Sequence, residues 1–135
     1  MKKLETKNFI FIGIFIIIIL YNLFPNFLKK KPTKKELVGI YQIVTADNGI
    51  PKSKFENYTL QLKNDGTFEF TQIPGINLCK KGNYELDYQF EDNEISFQCG
   101  KDWTPKHLKR KYFGFEIEFY LDIESGKSIC FSKKE

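Results

Sequence analysis

The sequence predicts an all-β domain, a single antiparallel up-and-down barrel or strongly curved sheet of seven to eight strands, preceded by one transmembrane α-helix. Two observations lead to this prediction. Residues 9–28 form an apolar run without a charge, and residues 36–135 alternate apolar and polar side chains. Alternation with a period of two is typical of strands that have one buried and one solvated face. At 135 residues, the chain has room for one domain and a short appendage.

The chain divides into four segments: a basic tail (1–8), the transmembrane helix (9–28), a basic linker (29–35) and the β domain (36–135). At about 1.5 Å per residue, a helix over residues 9–28 spans about 30 Å of hydrocarbon. The run lacks a small-residue cleavage site and precedes a lysine cluster, which favours an uncleaved anchor over a removed signal peptide. The predicted partner of residues 9–28 is therefore the lipid bilayer, and the predicted location is the cell membrane, with a single pass.

Two features of the sequence give opposite predictions for the side of the membrane on which the β domain lies. Three lysines precede the apolar run and five follow it, and lysine prefers the cytoplasmic flank, which favours a cytoplasmic domain. A short basic start before an apolar run is, however, how an exported signal-anchor begins. We favour the extracytoplasmic side and keep the opposite topology open.

The net charge of +4 does not describe the β domain. From Glu36 onward, the sequence holds 13 Lys and Arg against 16 Asp and Glu, which is a net charge near −3. Nucleic-acid binders concentrate basic charge on the folded domain. We therefore expect no nucleic-acid partner.

The turn residues agree with the alternation of the strands. After a first strand over 38–45, the loop Asn64-Asp65-Gly66 closes a hairpin that sets Leu62 opposite Phe68 and Leu60 opposite Phe70. This register keeps apolar side chains on one face, whereas a slip of one residue brings charge into the core.

Two further hairpins follow from the same reasoning. A two-residue turn at Asp92-Asn93 sets Leu86 opposite Cys99, with Phe90 opposite Ile95 and Tyr88 opposite Phe97 between them. The loop Glu124-Ser125-Gly126 sets Ile123 opposite Lys127, Leu121 opposite Ile129 and Phe119 opposite Phe131.

Residues 101–111 are basic and interrupt the alternation. We predict an exposed connector or a short helix here, with Thr104 as its cap and Pro105 at its first position. The stretch either docks an acidic partner or lipid headgroups, or is a solvated loop. His107, the single histidine, has no partner nearby in the sequence for catalysis.

The cysteines match no zinc or redox spacing, and we expect no metal and no cofactor. Cys99 lies at an inward-facing position of its strand. Cys79 lies in the connection before Gly82 and reaches Cys99 only if that connection folds back. The two cysteines either form a disulfide or remain as free thiols, and the sequence does not decide between these alternatives. Cys130 has the outward parity and is expected to be free.

Three short motifs carry a resemblance to a known family: Gly39-x-Tyr41, Asp65-Gly66-Thr67-Phe68 and Gly82-Asn83-Tyr84. Together they resemble small bacterial lipocalin-like domains over most of residues 36–135. The resemblance implies a calycin-type barrel, a fold associated with binding in its interior. It names no ligand.

Aromatic side chains are abundant in the β domain, with nine Phe, six Tyr and one Trp. They either line a pocket for an apolar ligand or fill a small barrel completely. For the first case, the predicted ligand-binding residues are Tyr41, Phe70, Tyr84, Tyr88, Trp103 and Phe115.

No catalytic residues are predicted, because the carboxylates of the strands alternate with apolar residues and so face water. We expect a non-enzymatic binding module that holds a small hydrophobic ligand. The alternative is a protein-interaction module with a solid core, such as a membrane-anchored immunity or inhibitor protein.

Overall fold

The computed structural model describes residues 2–87 and 94–134, with the side chains of residues 9–23, 29–87 and 94–134. The chain forms two compact units, Met1–Lys30 and Lys31–Glu135. The predicted inward residues Tyr88 and Phe90 and the predicted Asp92-Asn93 turn lie outside the described residues.

The first unit contains helix α1, Lys2–Lys29. Its large apolar side chains between Phe9 and Leu23 are exposed at consecutive positions, and therefore on every side of the helix. The prediction of a transmembrane helix over residues 9–28 is not supported. A helix is present there, but no helix in the described part of the chain is long and apolar enough to cross a membrane.

The second unit is a closed antiparallel barrel of eight strands in sequence order, in which β8 pairs back onto β1. The all-β, up-and-down prediction is confirmed, and the architecture is consistent with a lipocalin-like fold. The strands are β1 (Gly39–Ala46), β2 (Thr59–Leu62), β3 (Thr67–Phe70), β4 (Lys81–Asp87), β5 (Glu94–Cys99), β6 (Asp102–Lys111), β7 (Gly114–Asp122) and β8 (Lys127–Lys133). A one-turn helix, α2 (Lys34–Leu37), precedes β1, and a 3-10 helix (Lys52–Asn57) follows it.

The β2–β3 hairpin has the predicted register, with Leu60 opposite Phe70 and Leu62 opposite Phe68. Its turn is held by the Asp65 carboxylate, which accepts hydrogen bonds from the Thr67 N–H at 2.9 Å and from the Thr67 hydroxyl at 2.7 Å. Gly66 has a φ of 87°, a conformation that residues with a β-carbon rarely adopt. The turn chemistry and the apolar pattern thus select the same register.

The register predicted for the β7–β8 hairpin is wrong. Phe119 lies opposite Ile129 rather than Phe131, and Lys127 pairs with Asp122 rather than Ile123. There are two causes, and each shifts the register by one residue. The loop over 123–126 has four residues instead of the predicted three, and a bulge between Tyr120 and Asp122 adds a residue to the β7 side. The Asp122 carboxylate fixes this loop by accepting hydrogen bonds from the Ser125 hydroxyl at 2.6 Å and from the Glu124 N–H at 3.0 Å.

The register predicted for the β4–β5 hairpin is also wrong, because Leu86 lies opposite Ile95 instead of Cys99. The residues between Asp87 and Glu94, where we expected the two-residue turn, lie outside the described residues. The register differs by four residues, an even number, so Leu86 stays on the predicted side of its strand.

The connector or helix predicted over residues 101–111 is wrong, because this segment forms the ten-residue strand β6. Lys106 and Arg110 occupy inward-facing positions of β6, where apolar residues are expected. The alternation of apolar and polar residues is therefore not visible in the sequence of this strand. Pro105 lies opposite Ser96 on β5, at an end of β6 that has no pairing with β7. Proline is tolerated there because its missing N–H is not needed on the unpaired side.

One end of the barrel is closed by Thr33–Leu37, which we call the N-terminal clasp. The Thr33 side chain caps α2, and the Glu36 carboxylate in turn accepts hydrogen bonds from the Thr33 N–H at 2.8 Å and hydroxyl at 2.9 Å. Leu37 is fully buried, and its carbonyl accepts a hydrogen bond of 2.8 Å from the Tyr41 hydroxyl. The end of the predicted linker is therefore part of the barrel unit.

Cys79 and Cys99 form a disulfide, which settles the alternative left open by the sequence. The bond joins the connection after β3 to the end of β5, so this connection does fold back. Cys130 is a free cysteine, as predicted. Burial, followed by the charges of Glu116 and Glu118, raises the pKa of the Cys130 thiol to about 12.

Candidate functional site

Three of the predicted ligand-binding residues lie at the end of the barrel that the N-terminal clasp closes. The hydroxyl of Tyr41 is bonded within the clasp, and the hydroxyl of Tyr84 donates a hydrogen bond of 2.7 Å to the Lys63 carbonyl. Phe115 lies under Arg110, whose guanidinium carbon is 4.7 Å from the ring centroid. These three side chains are between 0% and 4% exposed.

The other predicted residues lie elsewhere. Phe70 is buried in the centre of the barrel, and Trp103 is 42% exposed on β6, opposite Gln98. Tyr88 lies outside the described residues. The structure therefore brings Tyr41, Tyr84 and Phe115 to one end of the barrel and does not bring Trp103 to them. The ligand-binding role of all six residues stays a prediction.

Phenylalanine rings fill the centre of the barrel. Phe119 packs against Phe70, Phe97 and Phe131, with ring centroids 5.5 to 6.0 Å apart. Phe68 meets Phe97 edge to face at 4.9 Å. Aromatic pairs favour these separations, so the rings are in direct contact. These contacts support the interpretation in which aromatic side chains fill the interior of the barrel.

The basic stretch on β6 is largely paired within the domain. Lys109 forms an ion pair with Glu118 at 2.9 Å, and Lys111 forms one with Glu116 at 3.2 Å. Arg110, with a side chain that is 5% exposed, binds Glu36 of the clasp at 3.2 Å. Docking of an acidic partner or of lipid headgroups, one of the two alternatives for this stretch, remains untested, although these ion pairs neutralise three of its cations.

A cleft opens where β6 and β7 separate. Their pairing joins His107–Lys111 to Gly114–Glu118. Beyond this ladder, residues 102–106 pair with β5, and residues 119–122 lie along β8. The gap between these two segments contains a cleft of about 610 Å³. This volume is within the usual range of ligand sites.

Carboxylates surround the cleft: Glu94 from β5, Glu118 and Asp122 from β7, and Glu124 from the following loop. Burial opposes the ionisation of Glu118, but hydrogen bonds from Lys109 and Ser128 outweigh it, and the pKa of Glu118 is lowered. Hydrogen bonds from Ser125 and from the Glu124 N–H lower the pKa of Asp122. Both carboxylates are therefore ionised at neutral pH, and the cleft is acidic.

The apolar part of the cleft comes from Tyr120, Leu121 and Ile123. Ile123 is 84% exposed and Tyr120 is 44% exposed. Large apolar side chains that border a groove in this way are typical of binding surfaces. The loop conformation set by Asp122 is what places Ile123 beside the cleft.

A lysine, Lys106, also lines the cleft, and its ammonium is 5.4 Å from the centroid of the Phe119 ring. Burial lowers the pKa of Lys106. Among the described side chains, none forms an ion pair or a hydrogen bond with this ammonium. Lys106 therefore offers hydrogen-bond donors to a molecule in the cleft.

His107 also lines the cleft, opposite Glu118 on β7. Its ring centroid is 6.3 Å from that of Tyr120. Within the described part of the chain, no group of three His, Cys, Asp or Glu side chains could hold a metal ion.

The sequence analysis missed this cleft because it predicted a connector or short helix over residues 101–111 and therefore no strand at β6. The signal that could have indicated the cleft is Pro105, since a proline inside a strand marks an edge without a neighbouring strand.

No protein-family model, no curated protein and no solved structure matches the chain.

Proposed function

We propose that the barrel is a non-enzymatic binding module that binds a partner protein through its outer surface. The observation that carries this proposal is the set of phenylalanine rings in mutual contact at the barrel centre. A ligand in the interior would have to displace them, whereas a partner on the outside would not. The acidic cleft between β6 and β7, with the exposed Ile123, is the proposed contact surface.

Photo-crosslinking in living cells tests the proposal. A photoreactive amino acid replaces Ile123 in the cleft of the full-length chain, and in a matched control it replaces Phe113, which is 85% exposed on the β6–β7 hairpin. We expect a protein adduct from position 123 and none from position 113. Equal labelling from both positions, or no protein adduct from any exposed position of the barrel, contradicts the proposal.

A small hydrophobic ligand is the second candidate, and the volume of the cleft favours it. Such a ligand would place its apolar part against Leu121 and Ile123 and a polar group at Lys106. Native mass spectrometry of the purified full-length chain, followed by organic extraction, tests this candidate. A bound small molecule that is lost in Ile123→Asp supports it, and the same mass with and without extraction opposes it.

We also propose that the barrel faces an oxidising compartment. The Cys79–Cys99 disulfide supports the extracytoplasmic side, because reducing compartments keep thiols free. Alkylation of intact cells followed by mass spectrometry tests this. Recovery of Cys79 and Cys99 with alkylated thiols opposes it.

The lipid bilayer remains the proposed partner of residues 9–28. The support is the exposure of large apolar side chains around α1, since a helix that is apolar on all sides requires an apolar environment. Flotation of cell membranes after alkaline extraction tests the attachment. Release of the chain into the soluble fraction contradicts it.

A further inference from the structure

We propose that the cleft between β6 and β7 receives an extended, basic segment of the partner protein, which pairs with β7 as an additional strand. This inference rests on the proposed function and specifies the kind of partner. Addition of a strand to an exposed sheet edge is a common mode of peptide recognition. The occupant follows from three features of the cleft: its open strand edges, its charge and its exposed apolar residues.

The first feature is the pair of open edges. Residues 102–106 of β6 and 119–122 of β7 each have a neighbouring strand on one side, and the cleft lies between them. Because β6 and β7 are antiparallel, an inserted strand can be antiparallel to only one of them. Pro105 removes a backbone donor from the β6 edge. Residues 119–122 of β7 contain no proline, and we therefore assign the pairing to the β7 edge.

The second feature is charge. Among the described residues, four carboxylates line the cleft, and two of them, Glu118 and Asp122, are engaged by neighbouring groups. Glu94 and Glu124 form no ion pair within the described part of the chain. Opposite charge selects partners and speeds their association, so the two carboxylates favour lysine or arginine on the incoming segment.

The third feature is the combination of apolar and donor groups at the cleft. Ile123 and Tyr120 present apolar surface to alternate side chains of an added strand. The ammonium of Lys106 can donate hydrogen bonds to its carbonyl oxygens, while the Phe119 ring lies beneath the ammonium. A basic strand with interspersed apolar side chains therefore meets complementary groups along the cleft.

A library of random octapeptides, displayed on beads and screened against the full-length chain, tests the inference. We expect enrichment of peptides in which lysine or arginine alternates with β-branched or aromatic residues. The best peptide is then compared with a version that is N-methylated at alternate residues, which cannot pair as a strand. We expect the methylated peptide to bind at least about tenfold more weakly.

Two variants test the site itself. Glu94→Gln combined with Glu124→Gln should weaken peptide binding by about tenfold at low salt, since it removes the two unpaired carboxylates. Glu56→Gln, at an exposed carboxylate in the 3-10 helix, is the matched control and should leave binding unchanged. Bound peptide should also slow amide hydrogen exchange at residues 119–122.

Several results would overturn the inference: no enrichment, enrichment of acidic peptides, equal binding of the N-methylated peptide, or protection at another strand. Concentration-dependent dimerisation that blocks the peptide would make a second copy of the chain the occupant and would also overturn it. If crosslinks to a protein persist from position 123 while these tests fail, the proposed function stands and only the added strand is wrong.

Discussion

Two cations of β6, Arg110 and Lys106, occupy inward-facing positions, and the barrel accommodates them in different ways. Arg110 covers Phe115 and binds Glu36, so the clasp supplies its counter-charge. Lys106 covers Phe119 and has no ion-pair partner among the described side chains. Arg110 is therefore a structural residue, whereas Lys106 retains the capacity to bind a further group.

Arg110→Ala should destabilise the barrel by about 1–3 kcal/mol, because it uncovers Phe115 and releases Glu36. Lys111→Ala removes a pair whose lysine is 52% exposed and should cost less than about 1 kcal/mol. Urea unfolding followed by Trp103 fluorescence measures both. Equal losses of unfolding free energy in the two variants would show that the burial of Arg110 does not contribute to the stability of the barrel.

Glu118 predicts a specific response to acid. Burial opposes its ionisation, but the hydrogen bonds from Lys109 and Ser128 prevail, so its pKa lies below the ordinary value of 4.5. A carboxyl with a lowered folded-state pKa stabilises the fold above pH 4.5, and this contribution disappears as the pH falls through the folded pKa. Glu118→Gln should therefore lower the melting temperature at pH 7 more than at pH 3. A constant difference across that range contradicts the assignment.

At the level of elements, β3, β4 and β5 come close together at Gly82. A β-carbon at this position would collide with the carbonyl oxygen of Gln98 and would lie 2.8 Å from the Phe68 ring. Backbone on one side and a packed ring on the other leave no room for relaxation. Gly82 therefore permits the close approach of the three strands.

Gly82→Ala should reduce the free energy of unfolding by about 1–3 kcal/mol, since overpacking shifts the backbone. Asn83→Ala, at the exposed neighbouring position, loses a hydrogen bond of 3.0 Å to Gln98 and should have a smaller effect. Thermal unfolding by circular dichroism distinguishes them. A melting temperature for Gly82→Ala equal to that of the parent chain would refute the steric argument.

Elements were predictable wherever the turn residues and the apolar pattern act together. The β2–β3 hairpin is such a case, because Asp65 and Gly66 fix the loop length. The β7–β8 register was not predictable, since the apolar pattern of the sequence carries no sign of the bulge or of the longer loop. The cleft was missed for a related reason. Lys106 and Arg110 occupy inward positions of β6 because the first packs on the Phe119 ring and the second pairs with Glu36, and only the folded chain shows these contacts.

At the scale of the whole molecule, the Cys79–Cys99 disulfide closes a loop between residues separated by 20 positions. Leu78, next to Cys79, is 4% exposed, and Ile73 in the same connection is equally buried. The disulfide therefore holds a connection that contributes to the core. A cross-link of this kind stabilises mainly by restricting the unfolded chain.

Reduction of the disulfide should lower the free energy of unfolding by about 2–4 kcal/mol. Urea titrations with and without dithiothreitol measure this loss in the full-length chain. Cys130→Ser is the control and should respond to the reductant as the parent chain does, because Cys130 forms no disulfide. A paired change of Cys79 and Cys99 to serine should abolish the response; a remaining response would assign the effect to another cause.

The N-terminal clasp has a practical consequence for anyone who shortens this chain. A protein that starts at Gly39 would retain all eight strands, yet it would lack the leucine that seals one mouth and the glutamate that neutralises Arg110. Such a fragment would expose Tyr41 to water and leave a buried guanidinium without its carboxylate. The smallest fragment worth purifying therefore begins no later than Thr33.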